Sequence, residues 1–559
     1  MNAIPETQTA TIHAAVAALH QGNLAEAERL AQRIVETRPD DFDAWHLLAV
    51  LALRREDLEH AERLYQEALQ RRPGDPQVLN GLAAIALYRG QIEDAERRFR
   101  EILANHPYHP EAAINLVGLL LDQERAREAL PLLDSLVERS PRPVVFAHRG
   151  RARWTLGDLE GAEADYRRAL AEDPGLERAW LGLGVTALER GDTTTAAEAL
   201  ERARQAQQRD IAAKAIFNLG YLNYQQGRYA EAAQAFTEAA ETIPDGRFGL
   251  AMTQLLMGNF QEGWRNWRHR PSRQRPGPWS DPDPLPENGP AHDILVVHDE
   301  GPGDELFFLR FLPQLVAQGH RVRYLPSPLL APVVRELPGI EVLPPGPLPE
   351  APADQVFLTG DLAELVQAGV RSPFPFPLRL PVPRDSWQAV GEQLRQLGPP
   401  PYIGLCWHSG EDDEGRGRLL SKNAPVELLA QALGHALHDQ PATLIAVMRQ
   451  RDPEGEARLA AAVGCPVRLL HPEPMDELLA LLDHLEDFIT VPSTSLHLRA
   501  SLARPARVLV PHPPEWRWGM MSQVSPWFPQ FTLYRETLQG WQEAFQRLQN
   551  DLGSPAATP

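Results

Sequence analysis

Four prolines, Pro39, Pro73, Pro107 and Pro141, stand 34 residues apart, and this spacing constrains the fold of the chain more than any other feature. Small residues keep step with them. Ala27, Ala61, Ala95 and Ala129 each lie twelve positions before a proline, and Gly22, Glu56, Gly90 and Glu124 lie five before each alanine. The pattern continues as Gly157/Ala162/Pro174, Gly191/Ala196 and Gly227/Ala232/Pro244, with slips of one or two residues in register. Such a period holds two helices and a turn. Alanine lets helices cross closely, Tyr65, Phe99, Tyr166 and Phe236 fill the layer between them, and proline ends the second helix. One unit alone would expose an apolar face, so the units must stack. Residues 8–270 are therefore expected to form an α-solenoid of seven repeats and a partial eighth, which ends in LLMGNFQEGWRNWRHR.

The period resembles that of the tetratricopeptide repeat. Such an array presents a concave groove for a peptide or protein, or else serves as a spacer or dimerisation scaffold. Asn80, Asn115 and Asn218, on first helices, are candidates to hydrogen-bond an extended peptide; the plainer alternative is an exposed polar position.

Charge narrows the partners. A formal net charge of −20 disfavours nucleic acid, which needs a basic face to replace counterions. Two cysteines, Cys406 and Cys465, make no disulfide framework and fit a reducing compartment. No signal peptide is visible in MNAIPETQTATIHAAV, and no run of about 18 apolar residues predicts a membrane span. A cytoplasmic protein is expected.

A Pro-rich linker follows at 271–292, where proline density forbids helix. Its Asp281-Pro-Asp283 has the look of a metal–nucleotide motif but no preceding strand, and reads as a solvated turn. Beyond it the period changes to alternating strand and helix. Strands are expected at 293–298, 321–325 and 354–358, with helices at 304–318, 328–336 and 360–369. A second set has strands at 402–407, 443–448, 466–470, 487–491 and 506–510, with helices at 424–438, 454–463, 475–485 and 494–503. Alternation of this kind predicts parallel sheets covered by helices, here an α/β pair of Rossmann-like halves at 293–383 and 384–555. Ligands bind such sheets at the carboxyl ends of strands. The residues found there are Gly301-Pro-Gly303-Asp304, His408-Ser409-Gly410, Arg449-Gln450 and Pro492-Ser493-Thr494-Ser495. Serine and threonine at a helix start offer hydroxyl and N–H groups to a phosphate, and equally serve as plain caps.

These residues carry a further resemblance. DEGPGDELFFLRFLP resembles the E-Q-G-x-G-D segment of bacterial tetratricopeptide-repeat glycosyltransferases, which are related to the heptosyltransferase-like GT-B superfamily. MGNFQEGWRNWRHR, GLCWHSG, TVPSTSLHLRASLARPARVLVPHPPEWRWG and SPWFPQFTLYRE are similar to further segments of that family, in order, through about 245–555. The resemblance implies an inverting transfer of a sugar from a nucleotide-sugar to an acceptor hydroxyl, with a protein acceptor presented by the repeats and no bound cofactor; no His/Cys/Asp cluster has metal-ligand spacing, so a metal-independent enzyme is expected. Asp304 matches the family's catalytic base, a residue type that also suits a helix N-cap, and His497 matches the family histidine, with a core role as the alternative. For the donor phosphates the candidates are Gly301, Gly303, Trp407, Ser409, Gly410, Arg418, Lys422, Gln450, Ser493, Thr494 and Ser495. Trp516, Trp518, Trp527 and Phe528 are expected to pin the C-terminal segment across the cleft. The chain departs from the family at HLRASLARP, which places Arg499 near the cleft, and at Pro492, an aspartate in many relatives. Such departures leave a second reading, a repeat-based interaction scaffold with a weakened transferase domain.

Overall fold

The computed structural model describes residues 11–553 apart from 287–288, 350–352, 371–373, 375–376, 410–421, 438–441, 449–450, 465, 471 and 521. The chain divides into two compact units, Met1–Gly191 and Asp192–Pro559.

The first unit consists of antiparallel helices from Ile12–His20 through Glu177–Arg190. Helices end at Thr37, Arg71, Asn105 and Arg139, two residues before each periodic proline. Side chains of Asp41, Asp57 and Asp75 accept the free N–H groups at the starts of three helices. Ala27, Ala61, Ala95, Ala129 and Phe99 are fully buried, as the spacing predicts. The turn positions take left-handed φ, near +77° at Gly22 and +73° at Gly90, but also +61° at Glu56 and +60° at Glu124. Tyr65 lies so close to Gly81 that a Cβ there would sit 2.2 Å from the ring. Asn80 and Asn115 bond each other, the Asn115 amide donating at 3.0 Å, and Asn218 in the second unit donates to the Lys214 carbonyl. Each of the three amides thus has a hydrogen-bond partner within the chain.

In the second unit five further helices, Thr193–Arg204, Arg209–Gln225, Tyr229–Ala239, Asp245–Leu256 and Phe260–Trp267, continue the period. Phe236 fills their interhelical layer against Gly220 and Gly249. Two wholly parallel sheets follow. The first has β1 (Asp293–Val297), β2 (Arg321–Leu325), β3 (Ile340–Val342) and β4 (Gln355–Leu358), in the order β3-β2-β1-β4. The second has β5 (Tyr402–Cys406), β6 (Thr443–Ala446), β7 (Val467–Leu469), β8 (Asp487–Thr490), β9 (Ala506–Val510) and β10 (Phe531–Arg535), in the order β10-β9-β8-β5-β6-β7.

A parallel sheet needs cover on both faces. Ile294 and Val296 of β1 join one large core that extends from Tyr224 in the repeats to Leu548. Leu295 and Val297 belong to a smaller cluster closed by Trp279 of the linker. That linker is not a free extended tether. It opens as a 3-10 turn at Pro271–Gln274, and Ser280 bonds the backbone of Val356 in β4 both ways. Asp283 is largely exposed and pairs with Arg268, in keeping with a solvated turn.

The predicted helix at 328–336 is a series of turns, because Pro332 inside it removes a donor and clashes with the preceding turn. Period reading also misses β3, β10 and the helices Arg384–Leu397 and Gln542–Gly553. Those two helices pack against Met475–His484 and Val426–Ala436, covering the second sheet.

Candidate functional site

Two helices start directly beyond neighbouring strand ends of the two sheets, Pro302–Phe308 after β1 and Thr494–Ser501 after β8. They pack on each other, start against start. A Cβ on Gly303 would lie 3.1 Å from His497 Cδ2 and 3.7 Å from Thr494 Cα, so the approach leaves little room for any side chain there. Ser493 caps the second helix, accepting the Leu496 N–H at 3.3 Å. The first helix is capped by Gly301 without a side-chain bond, so Asp304 lies in its first turn and is not the N-cap.

A row of alternating charges crosses this place. Arg517 donates to Asp304 Oδ1 and lies 3.5 Å from Glu515, which Lys422 meets at 3.0 Å. The Arg517 guanidinium is clamped over Phe307 at 4.9 Å and Trp516 at 4.4 Å, and only 7% of its side chain is exposed. Asp304 keeps 35% of its side chain exposed. Burial pushes the Glu515 carboxyl up, but Lys422 and Arg517 outweigh it and hold the group below its usual range. The site thus pairs one accessible carboxylate with one partly exposed ammonium, through two side chains fixed between them.

His497 borders the same place. Its Nδ1 is buried without a hydrogen-bond partner, and its ring meets Phe528 and Phe307 edge-on. Burial, then Arg517, Arg310 and Lys422, depress its pKa well below the usual value, so the imidazole stays neutral. Glu300, beside the glycine turn, moves the other way. Burial raises its carboxyl against the hydrogen bond from Ser272, and Asp299 and Asp304 add repulsion.

Beneath the site lies a buried ionic knot. Arg270, the last arginine of NWRHR, is fully buried and binds Asp299 at 2.8 Å and Asp361 at 2.8 Å. Asp299 also accepts from Thr359 and from the Gly360 N–H. The knot ties the end of the repeats to the ends of β1 and β4.

The sequence candidates separate accordingly. Gly303, Asp304, Lys422, Thr494 and His497 come together, with Gly301 and Ser493 as the caps of the two helices. Ser495 is buried within its helix, and Ser409 is partly exposed beyond β5. Trp407 is a correction: its indole is 2% exposed and donates to Asp452 at 2.9 Å, so it packs rather than faces a donor. Arg499 is another. It is fully buried and donates to the carbonyls of Leu482, Leu485 and Pro505, capping the Met475–His484 helix instead of entering the cleft. Gly410, Arg418 and Gln450 lie outside the described residues. Trp516, Trp518, Trp527 and Phe528 are all buried in the aromatic core. Sequence reasoning missed Arg517, Glu515 and Glu300. Their only signal was position inside PPEWRWG and DEGPGD, since a charged residue in a loop carries no period.

An open hollow whose lining does not include Asp304 lies where the last repeat helix meets the linker, lined by Trp264, Arg268, Asp283, Glu364 and Val370 among others. No helix among the described residues is long and apolar enough to cross a membrane.

Comparison with known proteins addresses the repeats. A tetratricopeptide-repeat family model matches residues 5–76, 148–211 and 187–247, and the middle TPR-like domain of cilia and flagella-associated protein 70 matches 54–156. No curated protein matches. Among solved structures, a tetratricopeptide repeat protein from Parabacteroides merdae shares 18% identity over 44% of this chain and 97% of its own, with a TM-score of 0.33. The APC/C hetero-tetramer Cut9–Hcn1 shares 16% identity over 44% of this chain and 49% of its own, with a TM-score of 0.39. YrrB, a TPR protein with an unusual peptide-binding site, shares 22% identity over 33% of this chain and 95% of its own, with a TM-score of 0.26. The N-terminal part of the chain is an array of tetratricopeptide repeats, followed by an α/β region of two parallel sheets.

Proposed function

We propose that the α/β region is a GT-B-type glycosyltransferase that moves a sugar from a nucleotide-sugar to an acceptor hydroxyl, on a protein held by the repeats. The observation that carries this reading is the meeting of two helix starts from two parallel sheets, with Asp304 accessible and Lys422 across the charge row. In the reaction the acceptor oxygen bonds to the anomeric carbon as the bond from that carbon to the diphosphate oxygen breaks. Asp304 takes the acceptor proton, and the diphosphate leaves with the bonding electron pair. Lys422 and the free N–H groups at Thr494 and Ser495 stabilise that charge. Neutral His497 orients a hydroxyl rather than supplying a proton.

The test is a panel of UDP-, GDP-, ADP-, CMP- and dTDP-sugars, read by thermal stabilisation and donor hydrolysis. One donor stabilises the wild type, and Asp304→Asn keeps that stabilisation while turnover falls by about 10²–10⁴. No stabilisation by any donor sinks the transferase reading; normal turnover by Asp304→Asn sinks the base assignment.

A second reading is a protein-interaction scaffold whose transferase site is weakened. It is favoured by the pairing of each cleft charge within the chain, Asp304 with Arg517 and Lys422 with Glu515, and by buried Pro492 where many relatives have aspartate. Repeat arrays of this kind hold protein or peptide partners on their concave face.

A further inference from the structure

The segment between β9 and β10 carries Glu515 and Arg517, yet its only regular structure before Gly519 is a three-residue 3-10 turn, Trp516–Trp518. Its position must therefore come from what it touches. The buried Tyr224 hydroxyl, on the Arg209–Gln225 helix, donates to the Pro514 carbonyl at 2.9 Å. Burial pushes that phenol's pKa well above its usual value, so it remains a donor at any ordinary pH. His512 Nε2 lies 2.9 Å from the carbonyl of Gln225, the next residue on the same helix. Trp516 meets Trp264 and Trp267 of the Phe260–Trp267 helix edge-on, with ring centroids 5.2 and 5.7 Å apart. The Asp245–Leu256 helix also packs on the Trp516–Trp518 turn. All these contacts come from the seventh and eighth repeats. They fix a loop that goes on to carry the Lys422–Glu515 and Arg517–Asp304 pairs.

We infer that the last two repeats form one wall of the candidate site, with Tyr224 a positioning residue that sets where Arg517 meets Asp304. The inference rests on the reading of Asp304 as catalytic. The first five repeats share the period but lie in the other compact unit. A displacement of about 1 Å at a reacting group costs on the order of 10²-fold in rate, so a hydrogen bond three residues from Arg517 has leverage on the chemistry.

Amide hydrogen exchange on the full chain tests this without any donor, and so stands apart from whether transfer occurs. Tyr224→Phe removes one hydroxyl and keeps the ring. Exchange is expected to rise severalfold in peptides covering 511–519 and also in 299–305, which Tyr224 does not touch, with β5 unchanged. Arg517→Gln should loosen 299–305 while leaving 209–225 as in the wild type. If Tyr224→Phe leaves 299–305 at wild-type exchange, the positioning role is overturned. Faster exchange in β5 as well overturns it too, since that marks general destabilisation.

Discussion

The repeats of the first unit and those of the second share a period and an interhelical layer, but they treat polar groups differently. In Met1–Gly191 the buried acids Glu163 and Asp165 are met by Arg167 of their own helix and by Arg190, Arg149 and Arg153 of adjoining helices in the same array. In Asp192–Pro559 the repeats export their polar bonds. Tyr224 reaches Pro514, the Trp264 indole donates to the Ala368 carbonyl, and Arg270 is buried between two carboxylates from the first sheet. The same sequence period therefore builds both a self-contained module and a fixed part of another fold. Which one results depends on a few polar side chains outside the repeat pattern.

The largest test of this contrast is Arg270→Met. It leaves Asp299 without a counter-charge and Asp361 with Arg273 alone, and should cost about 3–5 kcal/mol in guanidinium-induced unfolding of the second unit. Arg89→Met, which removes a half-exposed pair with Glu62 in the first unit, should cost less than about 1 kcal/mol. Equal losses would break the comparison.

Where the two regions agree, they should respond alike. Gly81→Ala drives a methyl into Tyr65 and Gly249→Ala drives one into Phe236, with built distances of 2.2 and 2.7 Å. Each is expected to cost about 1–3 kcal/mol by denaturant titration. A neutral result at either site means the layer can open there.

Acid acts on both regions in the same sense, since burial depresses His497 in the second unit and His148 in the first. In the first unit burial, then Arg151 and Arg178, lower the His148 pKa to about 4. The unfolded chain, with an ordinary value near 6.5, binds the proton first as pH falls. Stability from neutral His148 is thus full above pH 6.5 and drains away toward pH 4, by about 3 kcal/mol. His148→Gln should flatten that stretch of the profile; an unchanged slope rejects the assignment.

The smallest effect concerns turns. Glu56 and Glu124 occupy left-handed backbone that glycine fills in the neighbouring repeats. Glu56→Gly and Glu124→Gly should each stabilise the first unit by about 0.5–1 kcal/mol, read as a raised melting temperature. A drop would show that the glutamates earn their place through contacts.

The repeats were legible because helix packing repeats its demands every 34 residues. Ala27, Tyr65 and Gly22 follow from spacing alone, and burial and φ agree with them. The parallel sheets were legible for a related reason, since runs such as ILVV and YIGLC are buried on both faces. Pro332 was visible in the sequence, yet the apolar run around it outweighed the break it imposes. At three residues β3 is too short for a period to register, and β10 also went unread.

At the site the sequence by itself determined which residues end strands and start helices: Gly303, Asp304, Ser493 and Thr494. Local backbone chemistry sets those positions. Only the tertiary structure decided their partners. Arg517 meets Asp304 across 213 residues, Tyr224 meets Pro514 across 290, and Arg499 turns away to cap another helix. A charge in a loop has no period, and its role depends on what the fold brings within about 3 Å of it.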